Sequence, residues 1–73
     1  MSKYEPLWIY LKENNRQNYK LSFMEIENIL GFSLDHSFLT YKKECLDFGY
    51  EVGKISMKEK TVIFNRVSSL SNL

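Results

Sequence analysis

The stretch LSFMEIENILGF, residues 21–32, is the feature that most limits what this chain can become. Ser22 and Glu25 have the S-x-x-E spacing of a capping box, in which each side chain satisfies a free backbone N–H at a helix start. Leu21 and Ile26 stand where a hydrophobic staple closes, one residue before the cap and at the fourth helical position. Gly31 supplies the positive φ that ends a helix at low cost. The spacing therefore predicts a short helix over Phe23–Leu30 with both ends written into it.

Around this element the pattern changes twice. Upstream, Tyr4, Leu7, Trp8 and Leu11 fall at i, i+3, i+4 and i+7, a helical stripe. Pro6 is tolerated only in a first turn, so that helix starts at Tyr4 or Glu5 and runs to about Glu13. Residues 14–18 (NNRQN) read as a loop, and Tyr19–Leu21 as a brief extended segment. Downstream, Ser33 or Asp35 caps a helix over His36–Phe48, ended by Gly49. Its apolar line is Phe38, Tyr41, Cys45 and Phe48, with Leu39 and Leu46 beside it. From Tyr50 the period shortens to two: Tyr50, Val52, Ile55 and Met57, then Val62 and Phe64 on a strand over Thr61–Asn65, with Lys58-Glu59-Lys60 as the turn. Gly53 allows a bulge. The expected core includes Trp8, Phe23, Ile26, Leu30, Phe38, Cys45, Tyr50, Val52 and Phe64. Residues 1–66 form one domain, and 67–73 a frayed tail.

Composition narrows the functional classes. A chain of 73 residues is near the lower limit for an apolar core, and an aromatic fraction of 15% helps to fill it. One cysteine makes no internal disulfide, which points to a reducing, cytoplasmic setting. No apolar run approaches the roughly 18 residues of a membrane span. The net charge of +1 gives no overall attraction to nucleic acid.

The order of elements (helix, extended segment, helix, helix, hairpin) resembles a winged helix. The expected fold class is α+β: three helices with a C-terminal two-stranded hairpin, His36–Phe48 as recognition helix and residues 57–60 as wing tip. Glu27 stands where a typical helix-turn-helix has Ala, and the anchors Phe38 and Tyr41 fall one residue late. The runs LSFMEIENILGF, LDHSF, FGYEV and TVIFNR also resemble a family of small uncharacterised bacterial and phage-borne domains. Longer members carry an L-P-x-S-A element and a tryptophan-rich insertion before a W-x-x-x-G-W-x-V segment. Here Leu34-Asp35-His36-Ser37 replaces the first element, and CLDFGY (residues 45–50) stands at the last. That resemblance implies a shared fold and carries no activity.

Catalysis finds little support. Asp35, His36 and Ser37 are consecutive, so on a helix their side chains diverge and cannot form a relay. Cys45 sits on the apolar line as a small hydrophobe, and one Cys with one His supplies too few metal ligands. Three scattered glycines make no phosphate loop. The expectation is a non-enzymatic binding domain without cofactor. For duplex DNA, His36, Thr40, Lys42 and Lys43 would meet the major groove, while Lys54, Lys58 and Lys60 reach phosphates from the hairpin. Glu44, Asp47 and Glu59 lie among these cations and weaken that field. The alternative is a protein-interaction module, such as a phage-type inhibitor of a host defence nuclease. Tyr10, Tyr19, Ile9 and Ile63 lie off the core stripes and would serve such an interface or a homodimer.

Overall fold

Phe23–Leu30 is a helix with the anticipated bounds. In the computed structural model, which describes residues 2–67, the backbone N–H of Glu25 donates to Ser22 Oγ at 3.0 Å and that of Ser22 to Glu25 Oε1 at 2.8 Å. Gly31 closes the helix at φ 86°. With two free N–H groups met by one reciprocal pair, Ser22→Ala should cost about 1 kcal/mol, read as a lower urea midpoint with unchanged slope.

The described residues fold as α1 (Glu5–Asn14), β1 (Asn18–Ser22), α2 (Phe23–Leu30), α3 (Ser37–Tyr41), a 3₁₀ segment (Lys42–Phe48), β2 (Tyr50–Ser56) and β3 (Thr61–Arg66). The sheet has three strands in the order β1-β3-β2, all antiparallel, rather than the two expected. The extra strand is the brief segment before α2. Tyr19 pairs with Phe64 and Leu21 with Val62, so both apolar residues of β1 face the helices while Asn18 and Lys20 face out. A third strand also relieves a physical problem, because an isolated hairpin is marginal in water. On the far side, β2 shifts register between Val52 and Ile55. Gly53 lies in that bulge, where a Cβ would stand 2.9 Å from Asn65 Nδ2 and 3.4 Å from Ile63 O.

α1, α2 and the 3₁₀ segment pack on the sheet, and α3 joins them through Phe38, which lies against Tyr4 and Trp8. Tyr4, Leu7, Trp8 and Leu11 present the predicted stripe of α1 and are fully buried. Around Tyr4, the rings of Phe32 and Phe38 stand edge-on at 5.7 and 5.6 Å, arrangements favoured by the ring quadrupole. Trp8 donates its indole N–H to Glu44 Oε1 at 3.2 Å, the same oxygen that accepts the Ser2 hydroxyl at 2.5 Å. Six of the nine expected core residues are buried; Phe23, Leu30 and Val52 are half-buried at its margin.

The expected single helix over His36–Phe48 is a short α-helix that tightens into a 3₁₀ segment. Three residues per turn stack side chains at i and i+3, so the inner line becomes Lys42, Cys45 and Phe48. Tyr41, Leu39 and Leu46, placed on or beside the apolar stripe by a 3.6-residue period, are exposed instead. Val67 donates its N–H to Gly49 O at 2.9 Å, and the remainder of the expected tail lies outside the described residues.

Candidate functional site

A concavity lies where the helical cover of the sheet stops. It is a groove of about 790 Å³, open to solvent, bounded by the start of α2, by residues 34–39, and by the turn end of the hairpin. Phe23, Leu34, Phe38, Leu39, Ile55, Met57 and Val62 give it an apolar lining, with Glu27, Asp35, His36 and Ser37 as the polar rim. Leu39 and Met57 are 54% and 73% exposed. Both belong to the groove, so the exposed apolar surface here is contiguous.

The polar rim is internally engaged. Glu27 Oε2 accepts the Leu34 backbone N–H at 3.0 Å, fixing the turn after α2. Asp35 Oδ1 accepts the Ser37 backbone N–H at 2.9 Å, the Ser37 hydroxyl at 2.5 Å and the Tyr4 hydroxyl at 3.2 Å. These bonds, Ser37's first, hold the Asp35 carboxyl down to about 2. The side chain of His36 takes part in none of them, so the DHS tripeptide orders the entry to α3 and forms no relay. Cys45 is equally unsuited to chemistry: burial first, and the nearby Glu51 carboxylate second, push its thiol up to about 12. A thiol-exchange reagent at pH 8 should leave the native chain unlabelled and react with one equivalent in urea; rapid native labelling would contradict the buried placement. Among the described residues, no group of three or more His, Cys, Asp or Glu side chains is arranged to hold a metal. No described helix is long and apolar enough to cross a membrane.

The residues proposed to meet DNA are only partly gathered on one surface. His36 lines the groove; Thr40 and Lys43 are exposed on α3 and the 3₁₀ segment. Lys42 is half-buried on the inner line, since the 3₁₀ phase turns it towards Cys45. Lys54 lies in the β2 bulge, and Lys58 and Lys60 on the turn, all exposed. Of the residues proposed for a protein contact, Ile9 is exposed on α1, and Ile63 is half-buried on the outer side of β3. Tyr10 is half-buried, its ring 6.2 Å from that of Tyr19. Tyr19 itself is a core residue at 4% exposure, which corrects its assignment to a surface: it is the first inward position of the unforeseen strand.

Leu34, Leu39, Ile55 and Met57 went unrecognised as lining residues because they come from separate parts of the chain. The available signal was Met57, an apolar residue beside a run of three charges at a hairpin tip.

Fold and groove together define a small α+β domain with a three-stranded antiparallel sheet and an apolar groove at one end. No family model matches the chain, and neither a curated protein nor a solved structure is significantly similar to it.

Proposed function

We propose that this chain is a non-catalytic binding domain whose working surface is the groove, and that its partner is a protein. The observation that carries this reading is the contiguous apolar lining with Leu39 and Met57 exposed at the lips. Contiguous exposed apolar surface is costly in water, and pockets lined this way are the usual recognition sites of proteins. Selection from a displayed library of random peptides tests it directly. Enriched peptides should share large apolar anchors and lose binding to Leu39→Glu, whose thermal midpoint should match that of the parent. An absence of enrichment, or retained binding to Leu39→Glu, would remove the groove from the function.

A second reading has its own support. An α-β-α-α-β-β order with β1 against β3 agrees with winged-helix architecture, and Thr40, Lys43, Lys54, Lys58 and Lys60 are all exposed. Duplex DNA would then meet α3, the 3₁₀ segment and the turn. Two features weigh against it: seven of the thirteen residues of the expected recognition helix are in the narrower 3₁₀ form, and Lys42 turns inward. Polarisation measurements with a random duplex at about 50 and 200 mM salt separate the readings, since phosphate contacts weaken steeply over that range.

A further inference from the structure

The occupant of the groove can be specified further, on the reading that the groove is the working surface. We propose that it receives an amphipathic helix of a protein partner, with acidic residues flanking the apolar stripe on the hairpin side.

The shape of the vacancy points to a helix. Over Tyr19, Leu21 and Phe64 the inner face of the sheet is covered by this chain's own helices, and those residues are buried. Towards the turn the cover ends: Ile55 is half-buried, Met57 is exposed, and Phe23 and Leu39 face them across the groove. A sheet face beside a helix is completed by another helix, and such grooves read anchors at i, i+3 or i+4, and i+7. The groove's volume of about 790 Å³ suits a few anchoring side chains. A stable dimer needs about 800 Å² from each partner. A two-fold contact centred here would bring the hairpin lysines of both copies to one seam.

The charges at the lips set the sign. On the α2 side, Asp35 is paired with Lys3 at 3.4 Å, while Glu27 accepts the Leu34 N–H and keeps its negative charge, so the two lips of the groove differ in sign. On the hairpin side, Glu59 pairs with Lys20 at 3.5 Å, whereas Lys58 and Lys60 are exposed and in no ion pair among the described residues. The hairpin lip thus presents two cations without an ion-pair partner among the described residues, Lys58 directly after Met57 and Lys60 at the end of the turn. An acidic flank complements them, and a basic flank is repelled.

The test uses two synthetic helical peptides of about 16 residues with leucines at i, i+3, i+4 and i+7, one with glutamates along one flank of that stripe and one with lysines there. Fluorescence polarisation should show the acidic peptide binding at least tenfold more tightly to the intact chain. Lys58→Glu/Lys60→Glu should reverse that preference, and Leu39→Glu should abolish binding of both, each variant being checked for an unchanged melting profile. Equal affinity for both peptides, lost in Leu39→Glu, would overturn the acidic partner and leave the groove reading standing. Binding of neither peptide would overturn the helical occupant, and the display selection would then decide for the groove itself.

Discussion

Trp8→Ala is expected to remove most of the stability of this domain, by about 3–5 kcal/mol. A chain of 73 residues has about 4–11 kcal/mol to lose, at the usual stability per residue. The side chain is fully buried, its ring centroid is 6.1 Å from that of Phe38, and its indole N–H is held by Glu44. Truncation therefore opens a void and leaves a carboxylate without one of its donors. Trp8→Phe separates the two effects, because it retains much of the packing and removes only the N–H; about 1–2 kcal/mol is expected from it. Trp8 is the sole tryptophan, so the comparison should be made by circular dichroism in urea. A loss below about 1.5 kcal/mol for the alanine variant would contradict the packing described, given the usual cost of such truncations.

Tyr19→Ala should cost nearly as much, about 3–4 kcal/mol. Its ring lies edge-on to Tyr50 at 5.5 Å, and its hydroxyl donates to Leu11 O at 2.7 Å while accepting the Arg16 N–H at 3.2 Å. The phenol ties the end of α1 and its following loop to the sheet, and burial raises its pKa above the ordinary value. Tyr19→Phe should cost about 1 kcal/mol, the usual net value of such a hydrogen bond. An aromatic at a partner-binding surface behaves oppositely: its truncation weakens binding and leaves the urea midpoint in place. An unchanged midpoint for Tyr19→Ala would return this residue to the surface.

Sequence and structure agree where the determinants are local. The ends of α2 follow from Ser22, Glu25 and Gly31, and its neighbour α1 from a four-residue stripe, because caps and stripes act within a turn or two. β1 was legible only as a brief extended segment; its place in the sheet escaped because five residues hold only two inward positions and its partner β3 lies some 40 residues away, beyond any local pattern. The 3₁₀ segment escaped because no residue type marks the tighter period, which departs from the α-helical one by about 20° per residue and aligns Lys42 with Cys45 and Phe48 while Leu46 stays exposed. The groove was the least legible part. Phe23, Leu39 and Met57 each read as ordinary core or margin residues, and only the tertiary arrangement shows that they line one groove in which Leu39 and Met57 stay exposed among the described residues.

The middle position of β3 bears on synthesis. Thr61–Arg66 is the last element of the described fold to be translated, and it supplies the hydrogen bonds of both other strands. Until it leaves the ribosome, Tyr19, Leu21, Tyr50 and Val52 belong to strands with no partner. The sheet cannot be assembled stepwise behind the emerging chain, as domains with local pairing can. A nascent product interrupted before Thr61 has no native sheet to adopt, so quality-control proteases would meet it unfolded.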